Sequence, residues 1–208
     1  DRSIASLVDL DINGKPMKDL IAFLVAHHVA LTSTLTVFET FTPGRPEAPD
    51  AARAMLIPEL RQAYETTYAR VQTVPDNSKP YVTVFPKLMK LERMFAAAGG
   101  TLLAGTDPTG YGGVLPGFSG KRQIQLLVEA GFSFPEALKI ATLNGAVFLG
   151  RDKTVGSLMV GKRADIAVVE GDPAKDTHAL DNMFVFKNGV GYRTDAIFDM
   201  YRGKVGLY

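Results

Sequence analysis

Residues 101–107, T-L-L-A-G-T-D, constrain the fold of this chain more than any other stretch. They form a short apolar run that halts at a carboxylate, and a glycine-rich loop extends from there to Gly120. A buried strand that delivers an acidic side chain to a loop is a common way for α/β enzymes to place a metal ligand or a catalytic base. Asp107 is therefore the leading functional candidate. The plainer reading is an aspartate before Pro108 whose carboxylate caps backbone N–H groups in a turn.

Helical patterns surround this strand. After Pro16, the residues Met17, Leu20, Ile21, Leu24 and Val25 recur at helical spacing, and β-branched residues over 29–37 then set the rhythm of a strand. The proline-dense T-P-G-R-P-E-A-P-D reads as a loop, after which Leu56, Leu60, Tyr64 and Tyr68 mark one face of a long helix. A break over 75–80 precedes a helix around 85–98 that ends at Gly99-Gly100. Beyond the loop, Ile124, Leu127 and Val128 signal a helix that stops near Gly131. Ser133 and Glu136 have the spacing of a capping box, with Pro135 in the first turn, for a helix reaching Leu149.

From Gly150 the texture changes to short β-prone runs, D-I-A-V-V-E and M-F-V-F, with Asn188-Gly189 placed as a two-residue hairpin turn. A boundary near residue 150 separates a parallel α/β region from a small antiparallel element. The 208 residues, 46% apolar and 22% charged, suffice for a sizeable core. The 23 basic and 22 acidic residues are interspersed, so no footprint for nucleic acid or an anionic membrane stands out, and a small-molecule partner is expected. Cysteine is absent, which excludes disulfides, thiolate nucleophiles and cysteine zinc sites but leaves the compartment open. With no window near about 18 apolar residues and no basic-then-apolar start, the chain as given reads as neither membrane-spanning nor led by a signal peptide.

The segments A-G-T-D-P, P-G-F, L-L-V-E-A-G-F-S-F-P-E-A-L-K-I-A-T-L-N-G-A and V-G-S-L-M-V-G-K-R-A-D-I-A-V-V-E-G-D-P occur in one order. In this the chain resembles the amidohydrolase superfamily, nearest its imidazolonepropionase-like and Xaa-Pro dipeptidase-like branch, over roughly residues 15–193. The resemblance implies a metal-dependent hydrolase of C–N bonds in a small amide, cyclic amide or short peptide. It implies a distorted (β/α)8 barrel joined to a β-sandwich, with residues 1–149 as the C-terminal part of the barrel and 150–208 as the C-terminal strands of the sandwich. Asp107 matches the aspartate that ends the last barrel strand, binds the divalent metal and shuttles a proton from activated water to the leaving group. One or two ions are implied, with zinc as the default for a histidine and carboxylate site.

The family's remaining ligands are a His-x-His on the first strand, a mid-barrel lysine or glutamate, and single histidines on the fifth and sixth strands. This chain holds only His27, His28 and His178. A barrel also needs about eight strands, and the alternating region offers two. The missing N-terminal half of the barrel is therefore expected from the same parent chain or from a separate one.

In the loop after Asp107, at the expected barrel mouth, Thr109, Tyr111 and Phe118 are candidate substrate contacts, with ordinary loop filling as the alternative. The loop carries neither G-x-x-x-x-G-K-[ST] nor a G-x-G-x-x-G opening a helix, so phosphate binding has little support. His27 and His28 point about 100° apart on a helix and cannot share one ion; His28 is expected to continue the apolar face of Leu20, Ile21 and Leu24. His178 is no better as a ligand. Thr142 and Asn144 read as polar ties between their helix and the barrel, Lys121 and Arg122 as a solvated helix start, and Gly161, Lys162 and Asp165 as scaffolding. The rival to the enzyme is an interaction or scaffold subunit, or a degenerate relative that keeps the fold without the chemistry.

Overall fold

Proline sets the start of four helices in the computed structural model, which describes residues 2–108, 111 and 113–206. Pro16, Pro58, Pro80 and Pro135 each fall in the first turn, where a missing N–H costs nothing. The elements run α1 (Arg2–Ser6), α2 (Lys15–Ala26), β1 (Leu31–Ser33), α3 (Leu35–Thr40), α4 (Asp50–Arg53), α5 (Pro58–Gln72), α6 (Lys79–Ala97) and β2 (Leu102–Ala104). They continue with α7 (Ser119–Glu129), α8 (Phe134–Lys139), α9 (Gly145–Phe148), β3 (Ile166–Val169), β4 (Met183–Lys187), β5 (Val190–Arg193) and α10 (Thr194–Tyr201). Among the described residues no helix is long and apolar enough to cross a membrane.

β1 and β2 pair in parallel, with Leu31 opposite Leu102, Thr32 opposite Leu103 and Ser33 opposite Ala104. Helices cover this pair through a core in which Ile21, Leu35, Phe85, Phe95, Leu102, Leu126 and Leu127 are buried. A second cluster joins Ala52, Met55, Leu56 and Tyr64 to Leu115 and Phe118 of the loop after β2.

Both strands are shorter than their sequence patterns predict. The strand expected over 29–37 stops at Ser33, and Leu35–Thr40 is helical. Leu35, Thr36, Val37 and Glu39 of this helix are all buried, and α3 packs against α6 and α7 rather than extending the sheet. Tertiary packing thus overrides the β-branched propensity. α6 begins at Lys79 rather than near 85, because Tyr81 and Val84 in its first turns are buried.

His28 does not extend the apolar face of α2. The helix ends at Ala26, His28 adopts a positive φ of 54° and is exposed, and His27 lies with its ring 4.2 Å from that of Phe23. The capping box is present, with the Ser133 side chain and Glu136 in their reciprocal places, and Glu136 accepts the Ser133 N–H at 2.7 Å and its hydroxyl at 2.8 Å. The helix expected to reach Leu149 ends at Phe148, and between α8 and α9 it widens into a π-helical turn over Ile140–Asn144.

β3, β4 and β5 form a separate antiparallel sheet in that order. Asn188 and Gly189, at φ of 51° and 81°, make the tight turn between β4 and β5 that their sequence predicts. Asp165 secures the turn by accepting from Lys187 Nζ at 2.8 Å and from the Asn188 N–H at 2.9 Å, while Arg163 Nε donates to it at 2.7 Å. Lys162 Nζ donates to Ser157 Oγ at 2.6 Å and to the Asp152 carbonyl, and Gly161 takes the positive φ of its turn. These residues do act as scaffolding. α10, which no sequence signal announced, packs Phe198 against Phe118 with ring centroids 5.0 Å apart.

Candidate functional site

The segments that follow β1 and β2 leave the sheet at the same end, because the strands are parallel. Asp107 emerges there, exposed and with a φ of +46°, an uncommon conformation for a residue with a side chain. The two residues before it are tied to the β1 side. The Gly105 N–H donates to the Ser33 carbonyl at 2.8 Å, and Thr36 Oγ1 donates to the Thr106 carbonyl at 2.9 Å. The carboxylate of Asp107 makes no hydrogen bond to a described residue, so the turn-capping role is not seen among them.

Between the helical segment after β1 and the loop after β2 lies a cavity of about 160 Å³. Thr36, Thr40, Tyr64, Tyr68, Tyr111 and Phe118 are among its lining residues; Asp107 is not. The three phenol groups are spent on backbone: Tyr111 donates to the Thr40 carbonyl at 3.0 Å, Tyr68 to the Arg45 carbonyl at 3.0 Å, and Tyr64 accepts the Ala48 N–H at 2.9 Å. Burial pushes all three phenols above their ordinary pKa, Tyr111 most. Tyr64 keeps its own O–H, and the three rings pack on one another, with Tyr64 stacked on Tyr68 and 6.3 Å from Tyr111.

One wall is charged but internally neutralised. Arg122 donates to Glu39 at 2.7 and 2.9 Å and to Glu129 at 2.8 Å, and Arg45 Nε donates to Glu39 at 2.9 Å while its terminal nitrogen reaches Glu129. Lys121 meets Asp181 at 3.0 Å and lies 5.1 Å from the Phe118 ring centroid. The expectation of a solvated helix start at Lys121 and Arg122 is therefore wrong: α3 and the segment before β4 bring acids to them that are 60 to 83 positions away in sequence. Lys121 is only 11% exposed.

Of the sequence candidates, Tyr111 and Phe118 come together on the cavity wall, and Asp107 stands apart at the strand end. Thr109 lies outside the described residues. His178 faces Asp181, with Nδ1 at 3.4 Å. Asn144 ties its helix to the sheet by donating to the Leu102 carbonyl at 2.8 Å, whereas Thr142 bonds only within its own helix, to Leu138. Among the described residues no three His, Asp or Glu side chains stand close enough to hold a metal ion.

Beneath the strand ends is a polar group that sequence reasoning missed. Ser33 Oγ donates to Glu92 of α6 at 2.7 Å and accepts from Gln123 Nε2 of α7 at 2.6 Å, and Gln123 Oε1 accepts the Thr36 N–H at 3.2 Å. Burial pushes the Glu92 carboxyl up to about 7, opposed only by the Ser33 hydrogen bond. No local pattern marks these residues, since each pair is at least 59 positions apart.

A pair of parallel strands wrapped by helices, with an aspartate at the strand end, defines the class of protein, and comparison identifies it. Residues 23–194 match the Amidohydrolase family, and the chain belongs to that family. A Bifidobacterium longum protein classed as a prolidase is 28% identical in sequence, with a TM-score of 0.54 over 83% of this chain and 38% of its own. A bottromycin amidohydrolase gives a TM-score of 0.58 at 21% identity, covering 88% of this chain and 42% of its own, which is a likeness of fold. An imidazolonepropionase from Clostridium tetani is 32% identical over 83 residues, 38% of this chain and 18% of its own length. A 5-methylthioadenosine/S-adenosylhomocysteine deaminase from Thermoanaerobacter pseudethanolicus is 57% identical over 37 residues, 18% of this chain and 9% of its own. The chain thus spans less than half the length of each of these relatives.

Proposed function

We propose that the complete protein hydrolyses a C–N bond in a small amide, cyclic amide or short peptide, using metal-activated water, with Asp107 as metal ligand and proton shuttle. The observation that carries this reading is Asp107 itself: a carboxylate at the end of a buried parallel strand, exposed, unpaired with any described residue, in a chain of the amidohydrolase family. A single carboxylate does not make a metal centre, so the other ligands must come from outside the described residues. When bound, a divalent ion such as zinc lowers the pKa of water towards about 7. Asp107 takes the proton as water oxygen attacks the acyl carbon, and returns it to the nitrogen as the C–N bond breaks.

The same reading makes β1 and β2 the last two strands of a (β/α)8 barrel, residues 1–149 its C-terminal part, and residues 150–208 the C-terminal segment of a β-sandwich. The pair leaves an open edge on either side, which the rest of the barrel, in the same parent chain or a separate one, would cover. Tyr111 and Phe118 line the cavity and would form its wall against an apolar part of the substrate, with the Phe118 ring itself held by Phe198. Tyr111→Phe should then change little, because the hydroxyl only tethers Thr40, whereas Tyr111→Ala should raise KM.

The decisive test is Asp107→Asn in the complete, metal-loaded protein, assayed on Xaa-Pro dipeptides, N-acyl amino acids and cyclic amides. The amide keeps the shape but cannot shuttle a proton, so kcat/KM should fall by about 10²–10⁴. Full retention would remove the assignment. A complete, metal-loaded protein inactive on every substrate would favour the scaffold reading.

A further inference from the structure

The donors of the buried group beneath the strand ends all run one way. The Thr36 N–H points to Gln123, the Gln123 amide N–H to Ser33, and the Ser33 hydroxyl to Glu92, while the Thr36 hydroxyl holds the carbonyl of Thr106, next to Asp107. Ser33, Thr36 and Gln123 are buried at 1%, 3% and 1% exposure, so water does not stand in for a lost partner. A chain of donors aligned on one carboxylate is mutually polarised and stiff. It joins α6, α7, β1 and α3 to the backbone that presents Asp107, whose positive φ has to be enforced from outside.

We propose that Glu92 is a positioning residue: through Ser33, Gln123 and Thr36 it fixes the strand end that carries Asp107. The inference rests on the hydrolase reading above for its catalytic consequence, but not for its mechanical one. In either protonation state Glu92 keeps an oxygen that accepts the Ser33 hydroxyl, so the alignment of donors depends on the side chain's length and position rather than on its charge.

Neighbouring charges are engaged elsewhere. On α6 itself, Arg93 lies over the Phe132 ring and 3.8 Å from Glu136, and Lys87 holds the carbonyls of Val8 and Leu10. On α3, Glu39 is held by Arg45 and Arg122; on α2, Lys15 pairs with Asp19; on α7, Lys121 pairs with Asp181. No charged group contributes to the displaced titration of Glu92.

The test uses the complete protein with Glu92→Gln, Glu92→Leu, Ser33→Ala and the double variant Ser33→Ala/Asp107→Asn, on the best substrate of the series above. Glu92→Leu and Ser33→Ala should lower kcat about tenfold with KM unchanged, the mark of misplacement rather than lost binding. Glu92→Gln, which can still accept the Ser33 hydroxyl, should keep kcat and KM close to wild type. Ser33→Ala should add nothing to Asp107→Asn, because it acts through that residue.

Amide hydrogen exchange over residues 101–108 supplies a readout that needs no turnover. Protection there should fall in Glu92→Leu and Ser33→Ala and hold in Glu92→Gln. Wild-type kcat with unchanged protection in Glu92→Leu and Ser33→Ala, a loss in Glu92→Gln as large as in Glu92→Leu, or a full additive loss in the double variant would each overturn the proposal. If Asp107→Asn alone keeps full activity, the hydrolase reading falls instead, and the exchange pattern decides the positioning role.

Discussion

The two sheets of this molecule are built by opposite means. The parallel pair joins strands that lie 71 positions apart along the chain, buries Ser33 and Leu102 at 1% exposure, and depends on helices for its shape. The antiparallel sheet pairs strands consecutive in sequence, β4 and β5 through a two-residue turn, and all four residues of β5 are exposed. One is made by distant packing, the other by local chemistry. Function is proposed only at the first, where the backbone is fixed from several sides and can hold Asp107 in an uncommon conformation.

The contrast breaks most sharply if Leu102→Ala fails to destabilise the complete protein. Leu102 lies in the main core, and its truncation should cost about 3–5 kcal/mol, read from the chemical denaturation midpoint. A loss near that of a surface change would mean the parallel pair is not where the packing energy lies.

Glu92→Gln comes next and has a sign fixed by linkage. Glu92 ionises at about 7 in the folded protein against an ordinary 4.5, so between those values the folded state holds a proton that the unfolded state has lost. Wild-type stability therefore falls as pH rises from about 4.5 to 7 and is level above. Glutamine removes that loss, and the variant should gain on the wild type by up to about 3 kcal/mol between pH 4 and pH 8. A difference independent of pH would contradict the buried state of the carboxyl.

Smaller effects belong to the other sheet. Gly189→Ala, at a φ of 81°, should cost about 1 kcal/mol by straining the turn without touching any core. Val190→Thr in the exposed strand should stay within about 0.5 kcal/mol, measured the same way. If either matched Leu102→Ala, the distinction between distant and local construction would fail.

Legibility in the sequence follows the same division. Asn188-Gly189, the Ser133 and Glu136 cap, and the apolar run ending at Asp107 were readable because each is a pattern within a few residues. The strand reading of residues 29–37 differs from the structure because the β-branched Thr36 and Val37 are packed in a helix against α6 and α7, and that packing outweighs their propensity. The ties of Arg122 to Glu39 and of Ser33 to Glu92 and Gln123 were invisible because they exist only once α3, α6 and α7 converge. The candidate carboxylate is legible in sequence; the residues that hold its backbone belong to tertiary structure.

The π-helical turn at Ile140–Asn144 makes the chain's sensitivity to length uneven. Its i→i+5 bonding takes up one residue more than a regular turn, and at its end Asn144 reaches the Leu102 carbonyl. Removing one residue there would let the helix close regularly and leave α9 close to its present phase. Removing one from α8, where there is no such slack, would swing everything after it by about 100° and turn Asn144 away from β2. A single-codon deletion should therefore do more harm in α8 than a few residues later, because only in α8 does it alter the phase of the helix.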